Sequence, residues 1–284
     1  MMGDGRWTMK MEGTMWRWIP LMVAVAVVAL GCDGGTEEAE QPTGTLVFML
    51  NGEGFAREGF VSEDGWRVDF DHVWVNVVGP TAFQVVEEVN QALLVLHAGH
   101  PHAEIPEGAA QVALDDAFWM DVHQGDGPLV LGTVEDAPIG HYNRVSFGLA
   151  PTDDGSLVFI GVATKDGVEI PFTIRLDTAI DFTACGPHPD SIGVLAEGAE
   201  AEAELTLHFD HIFGDADEGP ADPAEVDTVN HLAIGFEPFA ALAVDGAVEI
   251  GQADIEALPE WEQLQDALLT LGHTGEAHCN GALR

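Results

Sequence analysis

Basic residues are what this chain has least of. Its 284 residues hold 9 Lys and Arg against 49 Asp and Glu, a formal net charge of −40 at pH 7. After Cys32 the basic residues are Arg57, Arg67, Arg144, Lys165, Arg175 and Arg284. Nucleic-acid binding rests on neutralising phosphates with Lys and Arg, so the composition argues for no nucleic-acid partner. It equally opposes lying flat on an anionic membrane. Tyrosine is limited to Tyr142, which argues against an aromatic sugar-binding platform. No GxSxG motif or glycine-rich phosphate loop is present, and Ser62, Ser146, Ser156 and Ser191 lack motif context. The familiar routes to nucleophilic and phosphoryl chemistry therefore find no support.

Long apolar runs are also missing. The longest, Ile19–Leu30, has about 12 residues, short of the about 20 that a membrane-spanning helix needs. Arg6, Lys10 and Arg17 precede it, as in a signal peptide. Ala29-Leu30-Gly31-Cys32 follows and resembles the lipobox of bacterial lipoproteins. That resemblance implies a signal peptide over residues 1–31, cleavage before Cys32, and lipidation of Cys32. Several acyl chains on one cysteine anchor a protein stably. The expected location is the bacterial cell envelope, facing the periplasm or the cell surface, with the membrane as partner through the anchor. Residues 32–43 carry the lipidated cysteine and an acidic, aperiodic stretch that reads as a flexible tether. Residues 44–284 are long enough for one large β domain.

Two cysteines remain, Cys185 and Cys279. In an oxidising compartment two distant lone cysteines read as one disulfide. The rival is metal ligation, because His188 follows Cys185 closely and His278 precedes Cys279. The acidity also has two readings: surface hydration, or collection of cations. The spread of the acids along the chain favours the first.

Strand-like runs recur at Thr45–Leu50, Trp66–Val77, Ala92–His97, Gln111–Leu114, Leu129–Val134, Asn143–Leu149, Leu157–Val162, Val168–Leu176, Glu202–Phe209, Ala233–Leu242 and Ala247–Ile250. KDG at 165–167 and VDG at 244–246 sit between such runs and read as hairpin turns. In VDFDHVWVNV (68–77) neither alternating face is purely polar, so a central strand is expected. One helix is expected, where Trp261, Leu264, Leu268 and Leu271 fall at helical spacing between Pro259 and Gly272. The fold class is all-β: an antiparallel β-sandwich of immunoglobulin or transthyretin-like type with one C-terminal helix.

Histidine carries the chemistry. Neutral imidazole is the commonest metal ligand, and zinc or copper sites need several such nitrogens to converge. HAGHPH places His97, His100 and His102 within six residues, just past a strand. LTLHFDHIFGDAD (205–217) puts His208 and Asp210 on one face of a strand, with His211 in the following loop able to fold back. The acidic run beyond it leads to His231. A third group, GHTGEAHC (272–279), carries His273, Glu276 and His278. His72, His123 and His141 stand alone in or near strands and read as hydrogen-bonded residues. The run FGDADEGPADPAE is acidic enough for calcium, but lacks the spacing of a calcium-binding loop, so calcium is a minor option.

Two stretches carry a family resemblance. WRVDFDHVWVNVVG (66–79) and EDAPIGHYNRVSFGLAP (135–151), the latter through Pro138, Gly140, Tyr142, Val145 and Phe147, resemble the MbnP-like periplasmic metal-binding proteins and related β-sandwich lipoproteins. The resemblance implies an antiparallel sandwich and copper handling through histidines. The expectation is thus a lipid-anchored envelope protein that binds copper or zinc through His208, Asp210, His211, His231, His97, His100 and His102, for capture or delivery. The metal ion and another envelope protein are its expected partners. The alternatives are a structural or partner-binding surface module without metal, and a metal-dependent enzyme, which needs an open coordination position and a nearby base.

Overall fold

The computed structural model describes residues 41–86, 104–187, 192–219 and 229–284. In chain order these form β1 (Thr43–Asn51), α1 (Glu53–Glu58), β2 (Phe60–Val61), β3 (Arg67–Gln84), β4 (Ala110–Ala113), β5 (Ala117–Asp121), β6 (Leu129–Pro138), β7 (Gly140–His141) and β8 (Arg144–Leu149). They continue with β9 (Leu157–Lys165), β10 (Val168–Leu176), β11 (Ile180–Cys185), β12 (Val194–Leu195), β13 (Glu200–Leu207) and α2 (Asp210–Phe213). The C-terminal part holds α3 (Glu237–Ala240), β14 (Val248–Ile250), α4 (Gln252–Ile255), α5 (Trp261–Leu268), β15 (Gly272–Thr274), β16 (Ala277–His278) and β17 (Asn280–Leu283). The expected signal peptide, Cys32, nearly all of the expected tether, and the strand expected at Ala92–His97 lie outside the described residues.

Two larger sheets dominate, an arrangement consistent with a β-sandwich. One runs β16-β15-β13-β1-β6; the other runs β14-β10-β9-β3-β8-β11-β17, with β2, β4 and β5 also pairing β3. Their apolar faces share one core. Leu46, Phe48 and Leu50 from β1 and Ala203, Leu205 and Leu207 from β13 join Val73, Val75, Phe159 and Phe172 from the larger sheet. Most ladders are antiparallel, but β1–β13 and β10–β14 are parallel.

β3 is central, as its two mixed faces require. Arg67–Val75 pairs with β9, and Val77–Phe83 with β8. The β9–β10 hairpin follows the KDG signal: Lys165 faces Val168 across Asp166 and Gly167, whose φ angles are 51° and 81°. Two left-handed residues match the twist of the flanking strands. At the VDG turn Val244 bridges Ala247, but the run before it is not a strand. Residues 233–242 form turns and α3, because Gly235 takes φ 72° and Pro238 removes a ladder donor. Ile234, Phe236 and Phe239 are buried nonetheless, which is why the segment reads as an apolar strand.

Helix is also more abundant than a single C-terminal segment. α5 forms at the expected place, burying Leu264, Ala267 and Leu268, and the short helices α1 to α4 accompany it. Cys185 and Cys279 are disulfide-bonded, joining the end of β11 to the residue after β16.

Candidate metal centre

β13 ends at Leu207 rather than Phe209, and this ending builds the site. The His208 amide donates to the Leu271 carbonyl at 3.0 Å, and the chain turns at once into α2. Phe209, Ile212 and Phe213 fall three and four residues apart, so one side of this single turn is apolar. Phe209 and Phe213 both pack on Phe159, with ring centroids 5.3 and 5.5 Å away. His208 and His211, also three apart, are left on the other side. Asp210 therefore does not share a strand face with His208. Burial of the three apolar side chains sets the direction of both imidazoles.

β15 supplies the third histidine. It pairs antiparallel with β13, Thr206 opposite His273 and Leu207 opposite Gly272. The approach requires glycine at 272, where an added Cβ meets Cγ of Phe182 at 2.3 Å. The His208 and His273 rings stack at 4.0 Å between centroids, 13° from parallel. His211 stands edge-on to both, at 5.5 and 5.0 Å. One nitrogen from each of the three lies within 4.8 Å of the others. Relative exposures are 6%, 8% and 2% for His208, His211 and His273. His278, opposite His273 on β16, lies on the solvent side, its ring 4.4 Å from that of His273.

One residue orients two of the rings. The Thr270 carbonyl lies 2.9 Å from His273 Nε2, and a carbonyl only accepts, so Nε2 carries the hydrogen. His273 Nδ1 then holds a lone pair; it is buried and has no hydrogen-bond partner. The Thr270 hydroxyl donates to the Ala267 carbonyl at 2.8 Å. Its oxygen therefore accepts from His211 Nδ1, 2.8 Å away, and leaves the lone pair of His211 on Nε2. Fixing the remote ring nitrogen in this way sets tautomer and orientation in metal-binding histidines.

The electrostatics favour neutral imidazoles. Burial, then repulsion from His208 and His278, pushes His211 down to about 3. Burial, with His208, His211 and His278 beside it, pushes His273 down to about 2. His208 is lowered as well, chiefly by burial. Around them stand carboxyl groups. Asp210 is raised to about 7, burial first and Glu53 and Asp215 next among the raising causes; its buried Oδ1 has no hydrogen-bond partner and lies 3.9 Å from His208 Nδ1. Glu53 is raised by burial, with Glu276 and Glu204 adding to it. His208 Nε2 is likewise buried without a hydrogen-bond partner. A buried polar atom left so costs about 1–3 kcal/mol. An ion accepting the lone pairs relieves that cost and offsets the carboxylate charge. The residues present thus fit a cation that prefers nitrogen.

Of the residues expected from sequence, His208, His211 and Asp210 come together, and His273 and His278 join them from the C-terminal group. His231 ends a 3-10 turn (Val229–His231), half-buried and outside the trio. His97, His100, His102 and His188 lie outside the described residues. The lone histidines are hydrogen-bonded: His72 Nδ1 to Asp121 Oδ2 at 2.7 Å, His123 Nδ1 to the Ala56 carbonyl at 2.9 Å, and His141 Nε2 to the Ile192 carbonyl at 3.1 Å. Thr270 and Glu53 carried no sequence signal, since neither belongs to a histidine cluster. No family model, curated protein or solved structure matches the chain.

Proposed function

We propose that this is a lipid-anchored envelope protein that binds one transition-metal ion, copper or zinc, through His208, His211 and His273. Its role is capture or delivery rather than turnover. The observation that carries the reading is the convergence of three buried imidazoles held neutral at pH 7, two of whose nitrogens, His208 Nε2 and His273 Nδ1, lack hydrogen-bond partners. Imidazole donors suit zinc and copper alike. Thiolate does not enter, because Cys185 and Cys279 are bonded to each other. A β-sandwich lipoprotein of the MbnP-like kind, with an immunoglobulin or transthyretin-like fold, is the setting this reading implies.

The test is metal content after equal exposure of the untagged protein to copper and zinc. One equivalent in the parent, lost in the His208→Ala/His211→Ala double variant, is the expected result. Equal or negligible metal in both would leave a surface module that binds a protein partner.

A further inference from the structure

Glu53 meets His208 of the histidine trio from a different part of the chain. β1 runs parallel to β13, with Leu50 beside Leu205 and Asn51 beside Thr206, so the end of β1 lies next to the strand that delivers His208. There the chain makes an uncommon turn. Glu53 takes φ 56°, a left-handed conformation that costs an ordinary residue on the order of 1–3 kcal/mol. Asn51 holds the turn: its Oδ1 accepts from the Glu53 amide at 2.8 Å and from both terminal nitrogens of Arg57 at 3.3 Å. Arg57 is thereby engaged with Asn51, although its charge still reaches Glu53, and the carboxylate is directed at His208.

Glu53 Oε2 lies 3.5 Å from His208 Nε2, the buried nitrogen that lacks a hydrogen-bond partner. A tetrahedral ion with ligands at about 2.0–2.2 Å sets neighbouring donor atoms about 3.4 Å apart. The observed separation suits two ligands on one ion, with the carboxylate swinging from His208 toward the other two imidazoles, whose donor nitrogens and that of His208 already lie within 4.8 Å of one another. We propose that Glu53 is the fourth ligand, completing a three-histidine, one-carboxylate site for a divalent cation of the zinc(II) class. The proposal rests on the reading of His208, His211 and His273 as ligands. It also sharpens that reading. A site closed by four protein ligands lacks the open position that catalytic zinc keeps for water, so it holds and hands over an ion. The Glu53 side chain is 23% exposed against 7% for His208, which makes it the ligand on the solvent side, the one that detaches first on release.

The experiment is a zinc(II) titration of the full chain in competition with a chromophoric chelator, repeated with cobalt(II) as a spectroscopic probe. It compares the parent with Glu53→Gln, Glu53→Gly and His273→Ala. Glycine removes the carboxylate while suiting the left-handed turn, so a folding defect in the glutamine variant does not confound the result. Both Glu53 variants are expected to bind zinc at least 10-fold more weakly, since outer partners alone are worth about 10–100-fold, and to alter the cobalt d–d bands. His273→Ala is expected to lose the metal. Parent-like affinity and an unchanged cobalt spectrum in both Glu53 variants, with metal lost in His273→Ala, would overturn the carboxylate ligand and spare the trio. Absence of zinc and cobalt binding in the parent would overturn both.

Discussion

Thr270 Oγ1 accepts a hydrogen bond from His211 Nδ1 at 2.8 Å while the carbonyl of the same residue accepts from His273 Nε2 at 2.9 Å. Thr270 lies in the turn after α5, where its hydroxyl donates to Ala267. The end of a helix thereby fixes two rings that belong to two other elements. Thr270→Val keeps the branched shape and the carbonyl but removes the acceptor for His211. We predict a loss of about 10–100-fold in metal affinity, with substantial recovery in Thr270→Ser. Chelator competition measures the affinities, and nitrogen NMR of the imidazoles reads the tautomers. An unchanged tautomer of His211 in the valine variant would show that the hydroxyl does not set it.

Gly272 tests whether the site depends on the close packing of β15. Phe182 is fully buried, and its Cγ lies 2.3 Å from where an alanine Cβ would fall. Overpacking of this kind costs about 1–3 kcal/mol. Gly272 is next to His273 and faces Leu207 across the ladder, so relief of the clash displaces the third imidazole. Gly272→Ala is expected to melt lower and to hold metal more weakly. A lowered melting temperature with unchanged metal affinity would mean that the strain is absorbed at Phe182 instead.

Where period-two alternation and turn chemistry agree, the fold is legible in the chain. Leu157–Leu176 reads as two strands around a DG turn, and it folds that way. Alternation misleads where helical spacing of apolar residues overlaps it. In LTLHFDHIF, Leu205, Leu207 and Phe209 alternate, while Phe209, Ile212 and Phe213 also fit one helical turn, and the core takes the second option. The strand at 180–185 is not legible although Ile180 and Phe182 alternate inward and Gly186-Pro187 marks its end, because the alternation is short and fails at Ala184 and Cys185, both buried. The candidate site was half legible. His208, His211 and His273 each stood in a histidine-rich segment, but their meeting depends on the β13–β15 pairing, which no local pattern encodes. Glu53 depends on the parallel β1–β13 pairing and was hidden for the same reason.

Stability of the metal-free protein should carry the signature of these buried histidines. His211 at about 3 and His273 at about 2, with His208 also lowered, all lie below the ordinary value of about 6.5. Between pH 6.5 and 3 the unfolded chain therefore binds more protons at these groups than the folded chain. Their contribution to stability is present above pH 6.5 and is lost as the pH falls through that window. Asp210 acts in the opposite sense. Raised from 3.8 to about 7, it is protonated in the folded state where the unfolded chain is ionised, so acidification from pH 7 to 4 favours folding at this residue. Glu53 and Glu63, also raised by burial, act as Asp210 does, so the histidine share is read as the difference between parent and variant. Urea midpoints are measured with chelator from pH 7.5 to 4.5 in parent and variant. On acidification His211→Gln should lose stability less steeply than the parent, by up to about 1.4 kcal/mol per unit, one proton's share. Parallel pH profiles for parent and variant would mean that His211 is protonated alike in both states, and the neutral, metal-ready trio would have to be abandoned.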